Sequence, residues 1–183
     1  MSSYARVIKS SDLPAALLHA YVDSLEGWGL LEYELFLTWQ FLTRAPNFDD
    51  AWDQFSRFST SNQRERTIML VEQHLRTTRR ARGFPSVFAR LVDLTKTRDR
   101  IVHGRWQKIE VEDDRGNPSE PEFIRIYDAR GEPARPRNTK DEQRMLGRSR
   151  FYETELRDAQ EQFRAAAHEL FEARTRIIGV RMS

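Results

Sequence analysis

Residues 86–106 read SVFARLVDLTKTRDRIVHGRW, and this stretch carries the clearest fold signal in the chain. Its apolar residues recur at the spacing of one helix face: Val87, Leu91, Leu94 and Ile101. Gly104 follows the last periodic residues, at a position where helices commonly end. The stretch therefore predicts an α-helix over 86–103 that buries one apolar stripe against the rest of the protein.

The segments around this helix follow two different periods. Helical spacing predicts further helices at about 14–44, 48–57, 61–82 and 149–176. Alternating apolar residues on either side of a turn-rich stretch predict a β-hairpin at about 106–127, and the polar residues 128–148 after it suggest a loop. We therefore expect a mainly all-α fold over residues 1–183. It is predicted to be a single domain, an antiparallel helical bundle with a β-hairpin embellishment.

The composition narrows the function classes. The 183 residues include no cysteine, which excludes disulfides, thiolate catalysis and cysteine-based zinc sites. No run approaches the ~18 consecutive apolar residues of a membrane span, and the N-terminus lacks a signal-peptide pattern, so we expect a cytoplasmic protein. The net charge is only +2. Arginines are nevertheless concentrated in residues 76–90 and 130–150; they suit phosphate contacts, although solvated surface is the simpler interpretation of any single one.

Two charged residues occupy positions where the helical pattern calls for apolar side chains. On a wheel of helix 86–103, Arg98 falls about 20° from Val87, in the middle of the apolar stripe. In helix 14–44, Glu32 falls in the centre of the apolar stripe, whereas Glu34 lies well off it. A charge buried without a partner costs several kcal/mol, so we expect Arg98 and Glu32 to be paired, hydrated or part of a binding site. A plain buried ion pair that fixes helix register is the alternative interpretation.

His103 is predicted to be the last residue of helix 86–103. A purely structural histidine at this place would interact with the helix dipole and the last carbonyl groups. A functional histidine would use an imidazole that titrates near neutral pH to accept and donate protons, with Arg98 holding a phosphate. On an ideal helix the two side chains diverge by about 140°. A composite site at a two-fold interface, completed by a second subunit, is therefore part of the functional hypothesis.

The segment Arg98-Asp99-Arg100-Ile101-Val102-His103 resembles the signature of the HEPN superfamily, in which an arginine and a polar residue are followed by three residues and a histidine. The next residues, Gly104-Arg105-Trp106, are similar to the version found in one bacterial branch of HEPN-like proteins. The resemblance covers the motif and the general plan over roughly residues 14–106. It implies a helical bundle that commonly dimerises. It also implies metal-independent endoribonuclease activity without a cofactor, in toxin–antitoxin, phage-defence or RNA-processing systems.

The resemblance also implies roles for single residues. Arg98 would bind the scissile phosphate, His103 would be the acid or base, and Asp99 would orient one of them. Glu32 would be a supporting residue. The candidate RNA contacts are Arg100, Arg105 and Trp106. The implied partners are RNA, a second copy of the chain and an antitoxin or defence protein, with no membrane.

One departure and two alternatives accompany this hypothesis. A branch of the family with a paired nucleotidyltransferase has tyrosine two positions after the histidine, where this chain has Arg105, so regulation by tyrosine nucleotidylation is unsupported. The first alternative is a catalytically inactive HEPN-like module that binds RNA, nucleotide or protein. The second is a structural or antitoxin-like protein in which Arg98 and Glu32 form a buried pair. Trp106 could instead anchor the hairpin to the helices.

Overall fold

The computed structural model describes residues 5–7, 12–45, 47–57, 60–77, 84–109, 121–126 and 150–181. Five helices are found there: α1 (Ala15–Thr43), α2 (Phe48–Ser56), α3 (Thr60–Thr77), α4 (Phe84–His103) and α5 (Glu153–Arg181). Four short strands accompany them: β1 (Ala5–Val7), β2 (Arg105–Ile109), β3 (Glu122–Ile126) and β4 (Arg150–Phe151). The described part of the chain is mostly helical, which confirms the predicted class. None of its helices is both long and apolar enough to cross a membrane.

Most of the helix ends lie close to the predicted ones, and two of them have clear local causes. Asn47 caps α2, because its Oδ1 accepts a hydrogen bond from the backbone N–H of Asp50 at 2.8 Å. Just beyond α1, Arg44 adopts φ = 56°, the left-handed conformation that commonly ends a helix. Helix α5 begins at Glu153, later than predicted, because Arg150–Phe151 pairs with the sheet instead of joining the helix.

The strands form one antiparallel sheet in the order β1-β2-β3-β4. Strands β2 and β3 pair over five residues each, with Trp106 opposite Arg125. The sequence predicted two strands here; the structure adds β1 and β4, which are too short for their period to be recognised. Residues 110–120 and 127 of the predicted hairpin, and the predicted loop 128–148, lie outside the described residues.

The chain divides into two compact units. Unit 1 consists of Met1–Leu25 and Lys96–Ala159, and unit 2 of Glu26–Thr95 and Gln160–Ser183. The buried apolar residues of unit 1 include Leu17, Ala20, Ile101, Trp106 and Leu156. Those of unit 2 include Leu31, Leu35, Phe36, Phe55, Val87, Leu91, Phe163 and Leu170. The motif at the end of α4 thus belongs to unit 1.

Within unit 2, helices α1 and α5 run parallel. The Trp28 ring packs edge-on against Phe163, with centroids 5.3 Å apart, and further along both helices Glu34 pairs with Arg174. The contacts advance toward the C-termini of both helices together, so this pair departs from the predicted antiparallel bundle. The rule that neighbouring helices are antiparallel applies to helices joined by short connections, and three helices and three strands separate α1 from α5 in the chain.

Candidate functional site

Arg98 lies near the end of α4 with its side chain partly buried. It is 26% exposed, and its Nη1 donates a hydrogen bond to Oδ1 of Asp99 at 3.0 Å. The wheel placed Arg98 on the apolar stripe; the structure gives it an intermediate position, with an acid beside it as partner. This pair lowers the cost of the partly buried charge and leaves part of the guanidinium accessible.

His103 is the last residue of α4, and its side chain is exposed. The helix keeps its regular hydrogen bonding at this end, because the N–H of Gly104 donates to the carbonyl oxygen of Arg100 at 3.0 Å. On a regular helix Arg98 and His103 point about 140° apart. Helix distortion, one of the predicted routes to a shared site within one chain, is therefore not seen at this end of α4.

Arg125 of β3 closes the end of α4. Its guanidinium donates hydrogen bonds through Nε to the carbonyl oxygen of Ile101 and through Nη2 to that of Val102, the latter at 2.9 Å. The last carbonyls of a helix have no partner within the helix, so this side chain supplies a cap from a neighbouring strand. The side chain is only 5% exposed.

Two aromatic rings enclose this guanidinium. Its central carbon lies 4.5 Å from the ring centroid of Tyr21 and 5.0 Å from that of Trp106, both within the range of cation–π attraction. Burial lowers the pKa of Arg125, and Tyr21 has a smaller, opposite effect. Arginine nevertheless keeps its proton at neutral pH, so the cap is a buried cation held by carbonyl groups and aromatic faces.

Arg125 was not among the site residues predicted from the sequence. The one signal is the alternation in β3, which places Arg125 on the same face as Phe123 and opposite to Ile124 and Ile126. Alternation separates two faces of a strand but does not say which one is covered. The face with Ile124 and Ile126 is the more apolar one, so the sequence favours that face as the core-facing one. Arg125 lies on the opposite face.

Trp106 was predicted as a candidate RNA contact, and the structure corrects this. Its indole is buried and packs edge-on against Tyr21, with ring centroids 5.6 Å apart. A base cannot stack on an indole in this position. Its contacts with Tyr21 and Arg125 are those of the alternative role, an anchor between the sheet and helix α1.

Arg100 is partly buried on α4, and the backbone of Arg105 lies in β2, while its side chain is outside the description. Glu32 is partly buried on α1 in unit 2. Its pairing with Arg98 would join residues of different units and stays a prediction.

Glu34 of α1, which the wheel placed off the apolar stripe, is also partly buried. Its carboxylate accepts a hydrogen bond from Nη2 of Arg174 at 2.8 Å, and the two side chains are 17% and 15% exposed. The prediction assumed that one face of α1 is covered. Helix α5 covers a further face, which brings Glu34 into partial burial.

A cleft of about 480 Å³ lies in unit 2 between the end of α1 and α3, and none of the motif residues lines it. Across the described ranges, no group of three or more histidine, aspartate or glutamate side chains is placed to hold a metal ion. The chemistry suggested by the sequence therefore depends on the end of α4 and not on this cleft.

No protein-family model, curated protein or solved structure matches the chain. The resemblance to the HEPN superfamily accordingly rests on the motif from Arg98 to His103 and on the helical character of the chain around it.

Proposed function

We propose that this protein is an HEPN-like endoribonuclease that needs no metal ion and cleaves RNA at a composite site between two copies of the chain. The observation that carries the proposal is the cap on α4. Because Arg125 occupies the carbonyl oxygens of Ile101 and Val102, His103 is not required for capping. An exposed imidazole at the helix end, one turn after an arginine–aspartate pair, is then available for proton transfer.

The proposed reaction begins at a ribose 2′-hydroxyl. A base removes its proton, and the oxygen attacks the adjacent phosphate to form a crowded, negatively charged phosphorane. Arg98 stabilises that charge, and an acid protonates the departing 5′-oxygen. In each site the imidazole of His103 takes up the 2′-hydroxyl proton and then passes it to the 5′-oxygen; in a site that contained both copies of His103, the two would divide these roles. The products are a 2′,3′-cyclic phosphate and a free 5′-hydroxyl. DNA lacks the nucleophile and is not cut.

The dimer is part of the proposal because of the helix geometry. Side chains about 140° apart on one helix cannot converge on one phosphate, unless the arginine wraps around the helix. A two-fold axis near the end of α4 would place Arg98 of one protomer close to the partner's His103. Each of the two equivalent sites would then contain one residue of each kind.

The second candidate function is RNA or nucleotide binding without cleavage. The ion pair between Arg98 and Asp99 favours it, because a guanidinium already engaged by a carboxylate stabilises a phosphorane less than a free one. The resemblance also suggests the setting, which we propose to be a toxin–antitoxin or phage-defence system in the cytoplasm, with an antitoxin or defence protein as partner.

The decisive experiment is incubation of the purified protein with mixed RNA in EDTA, followed by analysis of the RNA ends. The wild type is expected to cut RNA and leave 2′,3′-cyclic phosphates, and His103→Ala is expected to be inactive. His19→Ala is the matched control, because His19 is another exposed histidine of unit 1, and it should retain activity. If the wild type binds RNA but cuts none of it, the binding function replaces the nuclease.

A further inference from the structure

Unit 2 exposes a group of large apolar side chains that we call the aromatic surface. It consists of Leu30 and Tyr33 on α1 and Phe48 and Trp52 on α2, which are 49%, 44%, 44% and 42% exposed. Single exposed apolar residues are common, but contiguous groups of them mark interaction sites.

Three members of the aromatic surface are held together by one buried ring. The centroid of Phe36 lies 6.4 Å from Tyr33, 5.1 Å from Phe48 and 4.9 Å from Trp52. Phe48 and Trp52 are in turn stacked, with their planes 4° apart. Since Phe36 is fully buried, its contacts hold the three exposed rings in place on the side that faces the core. Rigid aromatic anchors of this kind lose little conformational entropy on binding and dominate protein interfaces.

Gly29 extends the aromatic surface along α1. On the helix wheel it lies within about 60° of Tyr33, as does Leu30. A Cβ added at Gly29 would meet no atom within 4 Å, whereas one added at Gly27 would lie 3.1 Å from the carbonyl oxygen of Gln160. Packing within unit 2 therefore explains Gly27 but not Gly29, which costs the helix about 0.5–1 kcal/mol relative to alanine. A partner that packs closely against the backbone of α1 would explain why this position is glycine.

The helices that form this surface are acidic. Residues 26–43 of α1 and the whole of α2 contain no lysine or arginine, and their acids are Glu26, Glu32, Glu34, Asp49, Asp50 and Asp53. Three of these acids are in ion pairs: Glu26 and Glu34 with Arg164 and Arg174 of α5, and Asp53 with Arg57, the residue that follows α2. The other three have no ion pair among the described residues. Asp49 and Asp53 lie about 100° around α2 from Phe48 and Trp52, on the solvent side, and Arg57 offsets only one of their two charges, so they form a rim that is acidic on balance.

This charge selects the partner. An isologous contact with a second copy would set acidic rim against acidic rim, and RNA would be repelled. We propose that the aromatic surface binds a basic amphipathic helix of a partner protein, with its apolar side chains on Leu30, Tyr33, Phe48 and Trp52 and its arginines or lysines over the rim. This inference does not depend on the proposed nuclease activity.

The test uses the full chain and labelled synthetic peptides in fluorescence anisotropy. The first peptide is an amphipathic helix with leucine and tryptophan on one face and flanking arginines; in the second, every arginine is replaced by glutamate. The basic peptide is expected to bind at least about tenfold more tightly than the acidic one, and added salt should weaken its binding. Equal affinity for both peptides, or no binding of either, would overturn the proposal.

Variants locate the binding site. Trp52→Ser and Tyr33→Ser are expected to weaken binding of the basic peptide about tenfold, while Val92→Ser, at an equally exposed apolar position of unit 2, should change nothing. Asp49→Lys with Asp53→Lys keeps the apolar side chains and should shift the preference toward the acidic peptide, which distinguishes lost charge from lost folding. If sedimentation shows that the wild type is a dimer and that Trp52→Ser makes it a monomer, a second copy covers this surface and the proposal is wrong.

Discussion

The guanidinium of Arg125 donates a hydrogen bond to the carbonyl oxygen of Val102 at 2.9 Å, so a residue of the sheet completes the end of the helix that carries the HEPN-like motif. The same side chain bonds the carbonyl oxygen of Ile101 and lies against Tyr21 and Trp106. The position of His103, the residue after Val102, therefore depends on a contact between β3 and α4 that lies about twenty residues away in sequence.

We expect Arg125→Met to lower the free energy of unfolding by about 2–4 kcal/mol, because a buried and a partly buried carbonyl group lose their donor while the packing volume is largely kept. Urea denaturation followed by circular dichroism measures the change. The control is Arg157→Met on α5, which removes an exposed arginine paired with Glu153 and should cost less than about 1 kcal/mol. Equal losses in the two variants would show that the cap contributes nothing beyond a surface ion pair.

The end of α4 could be predicted from the sequence, and its cap could not. Periodicity located the helix and Gly104, because one face of the helix repeats over five turns. Arg125 was invisible, because strand alternation does not identify the covered face. Similarly, Glu34 was placed off the stripe because a wheel shows the pattern of one helix and not the number of helices packed on it. Strands β1 and β4 have three and two residues, too few for any period.

The contributions of Glu34 and Arg174 to stability should be coupled, because the two side chains form a largely buried ion pair. Glu34→Gln and Arg174→Met are each expected to lower the free energy of unfolding by about 1–3 kcal/mol. Each variant leaves the charge of the other residue partly buried and without its ion-pair partner. The double variant should lose less than the sum of the two, with an interaction energy of about 0.5–3 kcal/mol.

The matched comparison for this cycle is the exposed pair Glu153 and Arg157, four residues apart on α5. Its coupling should be about 0.5 kcal/mol or less, because water and salt screen the two charges. Additive losses at Glu34 and Arg174, no more coupled than those of the exposed pair, would mean that the contact between α1 and α5 does not depend on this ion pair.

The two glycines of α1 should respond oppositely to alanine. Gly29→Ala is expected to raise the free energy of unfolding by about 0.5–1 kcal/mol, because the new methyl group meets open space and alanine favours the helix. Gly27→Ala places its Cβ 3.1 Å from the carbonyl oxygen of Gln160, so α5 must shift, and we expect a net loss of stability. Thermal unfolding of both variants beside the wild type tests the order. A gain at Gly27 equal to that at Gly29 would contradict the close approach of the two helices.

The composite site can be tested by mixing two inactive proteins. Arg98→Met and His103→Ala should each abolish RNA cleavage when purified alone. After the two are unfolded together and refolded, half of the dimers are mixed. One of the two sites in each mixed dimer then has its Arg98 and the facing His103 intact. Recovery of roughly a quarter of the wild-type activity is therefore expected.

The fraction of RNA-cleaving activity that is recovered distinguishes three arrangements of Arg98 and His103. A site in which Arg98 and His103 of the same chain meet gives no recovery, because every chain in the mixture lacks one of them. A site that needs both copies of His103 gives none either, and in that case a mixture of wild type with His103→Ala retains activity in proportion to the square of the wild-type fraction. Size-exclusion chromatography of the refolded mixture must show dimers, since a monomeric chain that cleaves RNA would remove the composite site altogether.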